Sequence, residues 1–172
     1  MKWIDVENSL KGLYAWQVRY ENGALRIDFG EPHLRVREPK EHLENLDLAV
    51  QKLGRRRIVT PTGVFHLFVD NCDWEATAFG YMCKNSDSDR EQIVKCLSQV
   101  SGQKFAGASF ILEESLCIFN FDLGGKLIMK PNCSVARIDT QLWTVFLRDS
   151  SYISYGYSNR FEFSAGGSGS ER

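Results

Sequence analysis

The sequence predicts an α+β protein that is mostly antiparallel β, with two meander-like sheet halves and one or two short helices. Aromatic residues make up 12% of the 172 positions, and such side chains favour the half-buried surface of a strand. Short segments of alternating apolar and polar residues follow one another, separated by turn residues. One segment between them carries both the start signal and the apolar spacing of a helix.

The first half begins as a meander around a hairpin at Asn22-Gly23, where both residues tolerate positive φ. Alternation at residues 25–29 and 33–37 predicts the next two strands. Residues 38–53 have apolar side chains at helical spacing and are predicted as a helix. The strands predicted for this half cover residues 13–20, 25–29, 33–37, 58–59, 64–69 and 74–81.

A helix over residues 88–100 is predicted to link the halves. Ser88 with Glu91 three residues later forms a capping box, and Gly102 marks the helix end. The strands predicted after it cover residues 106–112, 115–121, 126–130, 142–147 and 152–157.

The two halves resemble each other at an offset of 92 or 93 residues, which indicates an internal duplication. The offset pairs Phe29 with Phe121 and Pro39 with Pro131, and residues 65–68 resemble residues 143–146. It also pairs Leu34 and Val36 with Leu127 and Met129. We therefore predict one β-rich domain over residues 1–163, with pseudo-repeats at about 10–82 and 100–163. Residues 164–172 are predicted to be a flexible Gly/Ser tail.

Charge and composition argue against two classes of partner, nucleic acids and membranes. Lys and Arg (21) nearly balance Asp and Glu (22), whereas proteins that bind a phosphate backbone usually carry a basic excess. We therefore expect no direct nucleic-acid partner. The start of the chain has no signal-peptide pattern and no apolar run is long enough to span a bilayer, so a cytoplasmic protein without a membrane partner is expected.

Catalytic and metal sites are weakly supported by the sequence. The five cysteines contain no Cys-x-x-Cys pair and are expected to be free thiols; they are Cys72, Cys83, Cys96, Cys117 and Cys133. His66, Asp70 and Cys72 share strand parity, but a straight strand would hold the first and last about 20 Å apart. His33 and His66 could meet across paired strands, whereas His42 has no partner at metal-ligand spacing. We expect no cofactor and no enzymatic activity.

Several motifs in a fixed order resemble a group of small uncharacterised bacterial proteins. The shared segments are Gly63-Val64-Phe65-His66-Leu67-Phe68, Cys72-Asp73-Trp74, Gly102-Gln103, Phe121-Asp122-Leu123-Gly124-Gly125, Leu127, Pro131 and Trp143. Phe65 and Phe68 stand where that group usually has Trp. The group is similar in its compact, cofactor-free character to bacterial immunity proteins, which neutralise a cognate toxin by binding it. The resemblance therefore implies a protein-binding module, with an accessory subunit of a multi-protein system such as phage defence as the alternative.

Acidic residues around an aromatic side chain provide the predicted binding site. An indole surrounded by carboxylates could anchor a basic partner while the charges steer its approach. The predicted partner-binding residues are Asp70, Asp73, Trp74, Glu75, Asp87 and Asp89. Arg55-Arg56-Arg57 is interpreted first as a solvated connection that protects a strand edge, and second as a contact with an acidic partner.

Overall fold

The computed structural model describes residues 2–39, 47–132 and 140–165. It confirms the predicted fold class, because antiparallel strands dominate and the helices are short. The helices described are α1 (Trp3–Leu10), α2 (Leu48–Gly54) and α3 (Arg90–Val100). The strands are β1 (Ala15–Glu21), β2 (Ala24–Phe29), β3 (His33–Arg37), β4 (Ile58–Thr62), β5 (Phe65–Val69), β6 (Cys72–Ala78), β7 (Tyr81–Lys84), β8 (Phe105–Ile111), β9 (Leu116–Phe121), β10 (Lys126–Pro131), β11 (Gln141–Leu147), β12 (Tyr152–Gly156) and β13 (Phe161–Ser164).

Within the described ranges the strands form two sheets and one separate ribbon. The first sheet has the order β1-β2-β5-β11-β12-β13, and the second has the order β7-β6-β10-β9-β8. Among the described strands β3 and β4 pair only with each other, and we call this pair the ribbon. The buried side chains of both sheets belong to a single hydrophobic core, in which Phe119 of the second sheet contacts Trp143 of the first.

Each sheet combines strands from both halves of the chain. In the first half, α1 is followed by β1, β2 and β5 in the first sheet, and the chain then crosses to β6 and β7 in the second. In the second half, α3 is followed by β8, β9 and β10 in the second sheet, and the chain crosses to β11 and β12 in the first. The halves therefore have the same element order and exchange their last strands, with the ribbon inserted between β2 and β5.

Reciprocal hydrogen bonds join the halves where they meet. Ala15 N–H donates to Gln103 O at 2.8 Å, and in the matching contact Phe105 N–H donates to Leu13 O at 3.0 Å. Between these bonds, Tyr14 and Lys104 form a β-bridge. The ring of Phe29 stacks on that of Phe121 with 6.5 Å between their centroids. These contacts relate residues about 90 positions apart, such as Tyr14 with Lys104 and Phe29 with Phe121, and give the molecule an internal pseudo-two-fold arrangement.

The structure corrects part of the predicted residue pairing between the halves. Phe29 and Phe121 do occupy equivalent positions, at the ends of β2 and β9. Leu34, Val36 and Pro39 do not match β10, because β3 belongs to the ribbon. The strand equivalent to β10 is β5, since each pairs with the middle strand of its meander. Residues 65–68 and 143–146 lie on neighbouring paired strands and are not equivalent.

The helices close the two sides of the layered core. Helix α3 packs on β1 of the first sheet and on β6 and β7 of the second. Helix α1 packs on β8, and its Trp3 stacks on Phe161 of β13 with 5.7 Å between centroids. The sequence analysis did not predict α1. It predicted one strand over residues 74–81, where the structure has the hairpin β6–β7. Phe79 and Gly80, both at positive φ, form the turn of this hairpin.

Helix boundaries differ in detail from the prediction. Asp89, and not Ser88, caps α3, because its carboxylate accepts a hydrogen bond from Gln92 N–H at 2.8 Å. The Ser88 hydroxyl instead accepts from Lys84 N–H. Of the helix predicted over residues 38–53, the part at 40–46 lies outside the described residues. Residues 166–172 of the predicted tail also lie outside the described residues, whereas Ser164 belongs to β13.

Four cysteines are free thiols in the core, whereas Cys133 lies outside the described residues. Burial, with added repulsion from Asp73 and Asp70, raises the pKa of Cys72 from 9.0 to about 12. In the unfolded chain this thiol ionises near pH 9, whereas in the folded chain it stays protonated. Its contribution to stability is therefore complete below pH 9 and is lost as the pH rises toward 12.

We expect the free energy of unfolding to fall by about 1 kcal/mol for this thiol between pH 8 and pH 10. Urea denaturation of the wild type and of Cys72→Ala at both pH values measures the effect. The variant is less stable at pH 8 because it leaves a small cavity, but it should lose less stability on going to pH 10. Equal losses in the two proteins would contradict the assignment of Cys72 as a protonated core thiol.

Candidate functional site

Trp74 is a core residue, so the prediction that it forms an exposed anchor is wrong. Only 3% of its surface is exposed, and its ring packs edge-on against Tyr20 with 5.4 Å between centroids. Side chains alternate along β6, which directs Trp74 inward and Asp73 and Glu75 outward. The carboxylates are therefore separated from the indole by the sheet itself.

The predicted acidic residues do not form one cluster. Asp70 lies in the turn after β5, where its carboxylate accepts a hydrogen bond from Asn71 N–H at 2.8 Å. Asp89 is the N-cap of α3 and has a structural role. Asp73, Glu75 and Asp87 do come together, in a shallow depression on the outer face of the second sheet.

This depression, which we call the β6 groove, has a volume of about 270 Å³. It is lined by Asp73, Trp74, Glu75, Lys84, Asn85, Ser86, Asp87, Leu116, Ile128 and Lys130. Glu75 forms an ion pair with Lys84 at 3.3 Å, and Asp73 accepts a hydrogen bond from Asn132 at 2.7 Å. The groove is therefore of mixed charge, with aliphatic side chains from β9 and β10, and it suits polar side chains of a partner better than a strongly basic surface.

His66 and Cys72, which the sequence analysis considered as part of a catalytic site, lie on different sides of the first sheet. His66 lies on the outer face of the first sheet, where its Nδ1 is 3.0 Å from Asp28 Oδ1. Cys72 lies in the core, with its thiol 3.5 Å from Leu142 O. The described residues contain no group of three His, Cys, Asp or Glu side chains that could hold a metal ion. His33 contacts Thr62 on the ribbon, and His42 lies outside the described residues.

Asp28 is a buried carboxylate beside His66 that the sequence analysis did not identify. It is fully buried although it lies on the outer side of β2, and its Oδ1 accepts a hydrogen bond from Gly63 N–H at 3.0 Å. The same oxygen holds the His66 ring beside Phe146. A buried carboxylate requires such partners because its desolvation is costly. Asp28 therefore fixes both His66 and the point where the chain returns from the ribbon.

The ribbon presents an uncovered apolar face. Cross-strand pairing places Leu34 opposite Pro61 and Val36 opposite Val59, so the four side chains share one side. All four are exposed: Leu34 by 68%, Val36 by 49% and Val59 by 51%, and Pro61 also belongs to the exposed class. We call these four residues the ribbon face. The alternation of β3 predicted a strand, but it did not show that its apolar side would face away from the core.

The segment that carries the ribbon is rich in basic residues. Residues 31–63 contain seven Lys and Arg residues and five Asp and Glu residues. This excess contrasts with the net charge of −1 for the whole chain. Arg57 pairs with Glu38 at 2.8 Å across the ribbon end, while Arg55 and Arg56 are exposed beside it.

Two of the motifs that carry the family resemblance meet in space. The Gln103 side chain is buried, and its oxygen accepts a hydrogen bond from Gly125 N–H at 3.0 Å. A Cβ on Gly125 would lie 2.6 Å from this oxygen, which explains the glycine. Asp122 accepts a hydrogen bond from Lys104 N–H at 2.7 Å, so it joins two strand ends instead of bonding to its own turn. These motifs are explained by folding.

Comparison with known proteins adds no relative: no protein-family model, curated protein or solved structure matches the chain. Among the described residues no helix is both long enough and apolar enough to cross a membrane.

Proposed function

We propose that the protein is a protein-binding module whose partner docks on the ribbon face. The observation that carries the proposal is the group of four apolar side chains exposed together on one side of the ribbon. An isolated two-stranded ribbon is at best marginally stable in water. A partner that covers its apolar side would stabilise it, with about 1.5–3 kcal/mol for each large apolar side chain that becomes fully buried.

The charge of the ribbon segment indicates the kind of partner. Arg55 and Arg56 are exposed beside the ribbon, so a partner with an apolar patch bordered by carboxylates would fit it. Such charges mainly accelerate association and select the partner, while the apolar contact supplies affinity. A nucleic-acid backbone fits less well because it offers nothing to cover the ribbon face.

The resemblance described above makes a cognate toxin the first partner to test, with an accessory role in a multi-protein system such as phage defence as the alternative. We place this function in the cytoplasm, where the buried free thiols Cys72, Cys83, Cys96 and Cys117 would stay reduced. We further propose that Asp73, Glu75 and Asp87 of the β6 groove form a second contact, where they would bind polar or basic side chains of the same partner.

Charged substitutions on the ribbon face should abolish binding while folding is preserved. We expect the Val36→Lys/Val59→Lys double variant to bind the partner at least roughly 100-fold more weakly than wild type, because two lysines would enter an apolar interface. The partner is captured from cells on the wild-type protein, identified by mass spectrometry, purified, and titrated into each variant by calorimetry.

Val94→Lys is the matched control, because Val94 is 56% exposed on α3, away from the ribbon. It should bind within about twofold of wild type, since surface substitutions outside an interface have small effects. Circular dichroism checks that all three proteins unfold at similar urea concentrations. If the double variant binds as tightly as Val94→Lys, the ribbon face is not the docking surface.

A further inference from the structure

The outer face of the first sheet holds a row of polar and aromatic side chains that the proposed function does not use. Cross-strand pairing places Arg19 opposite Arg26, Arg26 opposite Phe68, and Phe68 opposite Thr144. Ser154 follows in the same row on β12. The sheet brings these side chains from five strands onto one surface.

Two arginines lie opposite each other at the end of this row, and the Nε atom of each has no acceptor within the described residues. Like charges directly opposite each other on paired strands are destabilising. The Nε atoms of Arg19 and Arg26 are both removed from solvent and have no hydrogen-bond partner within the described part of the chain. The Arg26 guanidinium lies over the Phe68 ring, 5.4 Å from its centroid. Buried N–H groups without an acceptor are costly, so an anion that offered acceptor oxygens to these guanidinium groups would offset this cost.

The nearest carboxylate along β2 does not fill this role. Asp28, two residues from Arg26, has its Oδ1 engaged by Gly63 N–H and by His66 Nδ1. No ion pair within the described residues joins Asp28 to either arginine, and its Oδ2 has no partner. Neither Arg19 nor Arg26 forms an ion pair within the described residues, so both guanidinium groups stay without a carboxylate partner on the outer surface of the sheet.

We propose that Arg19 and Arg26 form a binding site for a phosphate group, either as the free ion or as a phosphate monoester. A phosphate group carries about 1.5 to 2 negative charges at neutral pH, which matches two adjacent cations better than a single carboxylate does. Guanidinium groups bind phosphate oxygens through paired N–H donors, and contact with Phe68 holds one of them in a fixed orientation. The site lies on the first sheet, away from the ribbon face, and does not depend on the docking proposal.

Nitrogen-15 spectra of the arginine Nε–Hε groups test this site directly. Inorganic phosphate is titrated into the wild-type protein at constant ionic strength, and adenosine monophosphate is titrated separately. We expect the Arg19 and Arg26 signals to shift with a saturable profile while that of Arg35, an exposed arginine on β3, does not. Tighter binding of the monoester would identify an ester ligand, whereas equal binding would identify the free ion.

Arg19→Gln should weaken phosphate binding at least roughly tenfold, read from the remaining Arg26 signal, because one of the two charge-assisted contacts is lost. Arg35→Gln is the matched control and should leave the dissociation constant unchanged. Because the wild-type titration needs no variant, an unfolded variant does not prevent the test. Either of two results would overturn the proposal: unshifted Arg19 and Arg26 signals at millimolar phosphate, or an equal shift at Arg35.

Discussion

Gly63→Ala should destabilise the protein by about 3 kcal/mol, the upper end of the range for an overpacked site. A Cβ at this position would clash with the carbonyl oxygen of Phe29 and would lie 2.9 Å from that of Phe65. Both are backbone atoms of the paired strands β2 and β5, so neither can move without opening the sheet. The Gly63 N–H also binds the buried Asp28, which any shift of the chain would leave without this donor.

Urea denaturation followed by circular dichroism measures this loss. Val64→Ala is the control, since Val64 is a partly buried neighbour whose truncation removes atoms without creating a clash. It should cost about 1 kcal/mol, typical of a half-buried position. If Gly63→Ala is no more destabilising than Val64→Ala, the close approach of the chain at the base of the ribbon is wrong.

Trp143→Ala is expected to cost about 3–5 kcal/mol, the range for removing a large aromatic side chain from a core. Trp143 is buried, and its ring contacts Trp3 at 5.1 Å, Phe119 at 5.4 Å and Tyr155 at 5.8 Å between centroids. The substitution would remove contacts to α1 and to both sheets at once. The surrounding rings belong to separate elements and cannot close the cavity completely.

Phe163→Ala provides the matched comparison, because Phe163 is an aromatic residue of the edge strand β13 and is 43% exposed. Its removal should cost less than about 1 kcal/mol. Denaturation of both variants, followed by circular dichroism because Trp143 itself fluoresces, gives the difference. Similar losses in the two variants would show that the aromatic cluster around Trp143 does not dominate the core.

Local patterns predicted most strands and α3, since alternation and helical spacing depend on near neighbours in the chain. The exchange of strands between the sheets could not be predicted in this way. Whether β10 pairs with β6 or with β11 depends on contacts between residues about 50 to 60 positions apart. Phe29 and Phe121 occupy equivalent positions at the offset that the sequence indicates. The same offset fails for Leu34 and Val36, because the ribbon is inserted after β2 and shifts the later strands of the first half.

The burial of Trp74 could have been predicted from the sequence. Cys72, Ala76 and Ala78 share its parity on β6 and are apolar, whereas Asp73, Glu75 and Thr77 alternate with them. Such a pattern places the indole on the core side and the carboxylates on the other. The ribbon face could not be recognised from alternation alone, because an apolar side facing solvent and one facing the core give the same pattern.

The most direct test of the docking proposal is hydrogen–deuterium exchange of the protein alone and in its complex with the purified partner. Amides of β3 and β4 should exchange rapidly in the free protein, because the ribbon pairs with no other strand in the described part of the chain. Binding on the ribbon face is predicted to slow exchange at residues 33–37 and 58–62 more than anywhere on β11–β13. Unchanged exchange in the ribbon, with protection confined to another surface, would contradict the proposal.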